Sequence, residues 1–231
     1  MSANRDLLER LRGGLIVSVQ ARTGSALDDP SVLTALAGAA KAGGAIALRL
    51  AGEKNIEVVR KRVELPVIGI VKREYPGFEP YITPTLREVR EILETGAEIV
   101  AFDATARARP GGIGIPEIVG AIQAGGALAM ADCALVSDGV AAQAAGADIV
   151  ATTLCGYTKE TDGSALPALD LVRQFGELDA FAICEGGIHS PAQAAAALQA
   201  GADAVVVGTA ITNVEWLAGE YARALQRSSR A

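Results

Sequence analysis

Short, nearly continuous apolar runs recur along the chain, and most are introduced by glycine or proline and closed by a polar or charged residue. The first covers residues 15–20, after Gly13-Gly14. Further runs cover 45–49 after Gly43-Gly44, 67–71 after Pro66 with Lys72 behind it, and 98–103 after Gly96-Ala97. The second half repeats the scheme at 127–132, 148–153, 181–185 and 203–209. Runs of this length, rich in Val and Ile, suit parallel strands covered on both faces. Between them the period changes. In residues 85–94 the apolar positions are Leu86, Val89, Ile92 and Leu93, one face of a helix. Ser190-Pro191 supplies an N-cap and a first-turn proline for a helix over 192–199. The triplets at Gly96, Gly146 and Gly201, each glycine-alanine-acid, recur at separations of 50 and 55 residues, two strand–helix units each time. Eight such units, with a short helix over 6–11 in front, predict a (β/α)8 TIM barrel of the phosphate-binding type as a single domain over 1–231. An open doubly wound sheet is the competing arrangement, but no G-x-G-x-x-G follows the first strand.

Composition narrows the function more than the fold. Half of the 231 residues are hydrophobic and 4% are aromatic, so the core must be built from Ala, Val, Ile and Leu. A net charge of −6 without a basic run argues against nucleic acid as a partner. Cys133, Cys155 and Cys184 show neither a disulfide framework nor metal-ligand spacing, and His189, the single histidine, cannot build a multi-histidine metal site. No metal and no organic cofactor is expected. The absence of an apolar stretch of about 18 residues and of a signal-peptide pattern at the N-terminus predicts a cytoplasmic protein with no membrane association.

In such barrels the chemistry sits where strands end. The strand-end residues are Gln20, Arg49, Lys72, Asp103, Asp132, Thr153, Glu185 and Thr209. After the seventh and eighth strands come Gly186-Gly187 and Gly208-Thr209, turns whose backbone N–H groups can approach a phosphate. Lys72 and Glu185 are the candidates for proton work. A lysine serves as a base once burial or a neighbouring cation lowers its pKa, and the same amine could attack a carbonyl as a Schiff-base nucleophile. His189 reads as a helix-start residue, and Cys133 and Cys184 read as packing.

Taken in order, residues 14–20 (GLIVSVQ), 68–73 (IGIVKR), 80–85 (PYITPT), 130–133 (MADC), 152–158 (TTLCGYT) and 185–188 (EGGI) resemble the N-acetylmannosamine-6-phosphate 2-epimerase family, from about residue 13 to about residue 215. The resemblance implies interconversion of N-acetylmannosamine 6-phosphate and N-acetylglucosamine 6-phosphate in sialic-acid catabolism. It puts Lys72 at the proton-transfer position with Glu185 as its acidic partner. It also puts Gln20, Arg49, Asp132 and Tyr157 on the substrate, while the turns after the seventh and eighth strands put Gly186, Gly187, Gly208 and Thr209 on the phosphate. A homodimer is expected on the same ground; Trp216, Leu217, Tyr221 and Leu225 predict an apolar face on the last helix that packs either on the barrel or on a second subunit. Two positions depart from the family pattern: Asn213 stands where an arginine is usual, and Ala106 where an acid is often found. A Schiff-base aldolase acting on a phosphorylated sugar acid is the alternative enzyme, and a sugar-phosphate sensor without turnover is the non-enzymatic one.

Overall fold

The sheet in the computed structural model, which describes residues 3–228, closes on itself. Residues 1–2 and 229–231 of the expected domain lie outside the described residues. Eight parallel strands pair in chain order: β1 (Leu15–Val19), β2 (Ala47–Ala51), β3 (Val67–Ile70), β4 (Ile99–Asp103), β5 (Leu128–Asp132), β6 (Ile149–Ala151), β7 (Phe181–Glu185) and β8 (Ala204–Val207). β8 returns to β1 in the register Ile16 to Val206. Around them run α1 (Ala3–Leu11), α2 (Pro30–Ala42), α3 (Glu53–Arg60), α4 (Leu86–Glu94), α5 (Ile115–Ala124), α6 (Val136–Ala144), α7 (Leu169–Phe175) and α8 (Pro191–Gln199). Two helices follow β8, the single turn α9 (Thr209–Thr212) and α10 (Val214–Ser228). This is a (β/α)8 barrel.

Alternation along the strands divides the apolar residues between two cores. Ile16, Ala47, Ile68, Ile70, Ile99, Ala101, Met130, Ile149, Ile183 and Val206 fill the barrel, and Leu7 and Leu11 of α1 close its N-terminal end. Val17, Leu48, Leu50, Val67, Val100, Phe102 and Val150 face outward, against Ile56, Ile92, Ile118 and Phe175 of the helices. Local signals hold α4 and α8 in place. Thr85 caps α4 with a reciprocal Glu88 capping box, and the Ser190 side chain accepts from Gln193 N with Pro191 at the start of α8.

β2 departs from the sequence expectation. It runs two residues past Arg49, so Arg49 is its central residue rather than its end. A charge normally terminates a buried run because desolvating it is costly. Here the cost is met by two carboxylates inside the barrel, and the strand continues to Gly52 (φ 85°), which turns the chain.

Lys72 likewise lies beyond its strand, which ends at Ile70. It is placed by a short antiparallel return: Thr83 N donates to Val71 O at 2.7 Å, Arg73 N donates to Tyr81 O at 2.9 Å, and Lys72 and Ile82 form an isolated bridge. Thr83 is a buried β-branched residue at φ 44°, a conformation that costs roughly 1–3 kcal/mol. Its two bonds to Val71, one through the backbone and one from Val71 N to Thr83 Oγ1, hold that turn. Outside the barrel, Gly69 gives α3 and α4 their close approach to β3. A Cβ there would lie 2.5 Å from Ile92 Cγ2 and 3.2 Å from Ile56 Cδ1. Gly69→Val is therefore expected to destabilise the protein by about 1–3 kcal/mol through overpacking, read as a lower urea midpoint with unchanged slope.

Candidate active site

At the C-terminal end of the strands lies a cavity of about 290 Å³. It is lined by Ser18 within β1 and Gln20 after it, Arg49 from β2, and Lys72, Tyr81 and Ile82 from the loop after β3. The loop after β6 adds Thr153, Leu154 and Tyr157, and the remainder comes from Glu185 to His189 and from Gly208 to Asn213. A wider hollow of about 520 Å³ sits at the opposite end beside α1. Its Arg60 and Glu98 already satisfy each other, and it holds none of the convergent strand-end groups.

The floor of the first cavity is ionic. Arg49, 1% exposed, reaches across the barrel and donates Nη2 to Asp132 Oδ2 at 2.6 Å and Nη1 to Asp132 Oδ1 at 3.0 Å. The same Nη1 donates to Glu185 Oε2 at 2.7 Å. Thr153 Oγ1 donates to Asp132 Oδ1 at 2.7 Å and stands 3.3 Å from Glu185 Oε2. One guanidinium thus serves two carboxylates. Bidentate geometry gives Asp132 the larger share.

The protonation states follow from that sharing. Burial works against the charge on Arg49, but Asp132 and Glu185 outweigh it and hold the guanidinium protonated. Glu185 gains less from the pairing than Arg49 does. Burial, and then repulsion from Asp132 against the pull of Arg49, push its carboxyl up to about 7. Lys72 is shifted the other way. Burial and then the positive charge of Arg49 lower its pKa, against opposing pulls from Glu185 and Asp132. By surface area Lys72 counts as exposed, but the surface it exposes lines the cavity, so its ammonium is only partly hydrated. Among the described residues its side chain has no hydrogen bond or ion pair.

The expected direct pairing of Lys72 with Glu185 is therefore replaced by an Arg49–Glu185 pair, with Lys72 acting on it through space. The reason is geometric. Arg49 projects from inside the barrel into the gap between β5 and β7, whereas Lys72 stands two residues above its strand. Asp132 is fully buried and does not line the cavity, because its oxygens are taken by Arg49 and Thr153. Gln20 lines the wall and donates Nε2 to Ser18 Oγ at 2.8 Å, which leaves its buried Oε1 without a partner among the described residues. Arg49 Nε is a second buried atom without one. Tyr157 is at the rim, 62% exposed.

The other end of the cavity is made of backbone. Gly186 (φ 108°) and Gly187 (φ 67°) turn the chain after β7, and a Cβ on Gly187 would lie 2.3 Å from Leu166 Cβ. Gly208 packs on Ser18, and Thr209 opens α9. Sequence reasoning did not single out Ser18, Tyr81 or His189, all of which line the wall. Ser18 was masked by its apolar run, and Tyr81 lies far beyond the end of its strand at Ile70. His189 did carry a signal, as the lone histidine directly behind a Gly-Gly turn. Among the described residues no cluster of His, Cys, Asp and Glu is placed to hold a metal ion.

Comparison with known proteins agrees with this geometry. The family described as "NanE: Putative N-acetylmannosamine-6-phosphate epimerase" matches residues 33–227. A Yersinia pestis (strain Pestoides F) protein named "Putative N-acetylmannosamine-6-phosphate 2-epimerase" is 43% identical over 227 residues, covering 98% of this chain and 96% of the relative. A Yersinia pseudotuberculosis (strain YPIII) protein of the same name matches equally. Among solved structures, the N-acetylmannosamine-6-phosphate 2-epimerase from Clostridium perfringens superposes with a TM-score of 0.91 at 39% identity, over 94% of this chain and 95% of that one. With its barrel, its cavity and these relatives, the chain belongs to the N-acetylmannosamine-6-phosphate epimerase family.

Proposed function

We propose that this protein interconverts N-acetylmannosamine 6-phosphate and N-acetylglucosamine 6-phosphate by moving the proton on C2, in sialic-acid and amino-sugar catabolism. The observation that carries the reading is Lys72, an unpaired amine with a lowered pKa that faces a cavity floored by Arg49 and Glu185. In the open-chain sugar the C1 aldehyde acidifies C2–H, and its loss gives an enolate whose oxygen needs positive charge nearby. Neutral Lys72 accepts the C2 proton at Nζ, and a proton returns to C2 on the other face. Arg49, kept charged by its carboxylates, supplies the field at the enolate oxygen. Glu185 is near half protonation at neutral pH, so it can both give a proton to the ring oxygen and take one from O1 as the ring opens. Gln20 Oε1 is an unfilled acceptor suited to the acetamido N–H. Asp132 acts through Arg49 rather than on a sugar hydroxyl.

The phosphate rests on backbone N–H groups of Gly186, Gly187, Gly208 and Thr209, far from C2, and supplies binding energy that need not be spent at the reacting carbon. A doubly charged sugar phosphate does not cross membranes unaided, which suits an enzyme acting in the cytoplasm. Base chemistry is favoured over the Schiff-base aldolase because the family relationship spans nearly the whole chain. A homodimer is supported by α10, whose Val214, Leu217, Tyr221 and Leu225 present an exposed apolar face at helical spacing. Trp216, expected on that face, instead packs on His189.

Lys72→Ala should lower interconversion by about 10²–10⁴-fold, the usual worth of a positioned base; a coupled hexosamine 6-phosphate assay showing near-full activity would remove the assignment. Lys72 works only when neutral, so kcat/KM should rise with pH through its depressed pKa. Glu185→Gln deletes an anion that favours the ammonium, so the rising limb of the residual activity should move to lower pH. Tyr221→Glu combined with Leu225→Glu should convert a dimer to a monomer in sedimentation; unchanged mass for the double variant would exclude α10 as the interface.

A further inference from the structure

At the phosphate end of the cavity the lining residues carry no lysine or arginine. The basic side chains on the wall are Arg49, Lys72 and His189. Arg49 is held by two carboxylates on the floor, and Lys72 stands on the side of β3, four strands round from β7. His189 alone belongs to the loop that carries Gly186 and Gly187. A phosphate dianion held only by backbone dipoles would leave much of its charge uncompensated, whereas a charged donor roughly doubles the strength of a hydrogen bond.

His189 is set up as such a donor. Its imidazole stacks on the Trp216 indole, ring centroids 4.9 Å apart and planes at 20°. Trp216 is itself fixed: its backbone N–H donates to Asn213 Oδ1 at 2.9 Å, the N-cap contact of α10. Asn213 lines the same wall, and with Oδ1 engaged its amide NH2 is the end left for a ligand. The backbone of His189 is fixed as well, donating to Gln193 Oε1 at 2.7 Å. Both ring nitrogens are without a hydrogen bond among the described residues. An aromatic face favours a cation stacked on it. Glu220 of α10 interacts with His189 and is itself paired with Arg223. The neighbouring Thr209, Thr212 and Asn213 are uncharged.

We propose that His189, oriented by the Trp216 stack, is a phosphate-binding residue of this site and takes up a proton as the sugar phosphate binds. The inference rests on the phosphate end lying at the β7 and β8 loops. Because His189 is the only histidine in the chain, its C2-proton resonance is identifiable without assignment work. At pH 7.5 that resonance should move toward the imidazolium position on addition of inorganic phosphate or of N-acetylmannosamine 6-phosphate, and not with unphosphorylated N-acetylmannosamine. His189→Ala should lose about tenfold in kcat/KM at pH 6.5, carried by KM, with a smaller loss at pH 8.5, since a histidine donor weakens as pH rises. Trp216→Phe, which keeps an aromatic face, should lose less than Trp216→Leu. If the 6-phosphate is required for turnover but the resonance stays put and His189→Ala keeps its KM at both pH values, the inference on His189 is wrong. If the unphosphorylated sugar is turned over as well as the phosphorylated one, the phosphate end itself is wrong and the inference falls with it.

Discussion

A single guanidinium inside a barrel filled mainly by aliphatic side chains governs the top of this molecule. Arg49 is desolvated, and a buried charge that loses its partner typically costs several kcal/mol, about 3–5 by experiment on paired sites. Its two carboxylates come from β5 and β7, 83 and 136 residues away in sequence. The floor of the cavity therefore ties together three strands that do not adjoin one another in the sheet. Lys72 stands nearby. The sharing is unequal: Asp132 takes two of the guanidinium's hydrogen bonds, Glu185 takes one, and Lys72 has no partner among the described residues.

That inequality sorts the residues by role. The groups held most tightly, Asp132 and Thr153, set the position of others, while the groups held loosely are those able to change protonation. The same logic operates around Lys72, whose backbone is constrained by the antiparallel return to Thr83 while its amine stays free. A rigid main chain carrying an uncommitted side chain is what a base requires, since reach must be fixed and proton affinity must not. Farther out, Glu79 on this loop pairs with Lys159 beyond β6 and with Arg107 beyond β4, so three loops share one anchor at the rim.

The strands and their order were legible because buried parallel strands write themselves as apolar runs between glycines, and each of the eight was found within two residues of its observed ends. Arg49 was recognised as important but put at the wrong place in its strand, since the rule that charges end buried runs presumes no partner, and partners across a barrel leave no local trace. Lys72 and Glu185 were expected to pair directly, and Arg49 stands against Glu185 instead, for the same reason. His189 was set aside because its position before Ser190 is also where an ordinary helix-start residue stands. Only the docking of α10, which brings Trp216 against it, separates the two readings. What sequence does not carry, in each case, is distance between units.

The seam of the barrel has a consequence for how the protein is made. β1 finds its second neighbour in β8, Gly13 N donates to Asp203 O, and Thr212 Oγ1 donates to Ser18 O, so the first and last units are stitched to each other. During synthesis β1 leaves the ribosome first, and one of its edges stays unpaired until residue 207 has followed. An unpaired edge of this kind is a template for wrong pairing, and slow, sequence-distant closure prolongs it. The wall formed by Ser18, Gln20 and Gly208 straddles that seam. Ligand recognition is consequently the last property the nascent chain acquires, and a ribosome that stops short of β8 releases a chain with Lys72 and Arg49 present but no closed cavity around them.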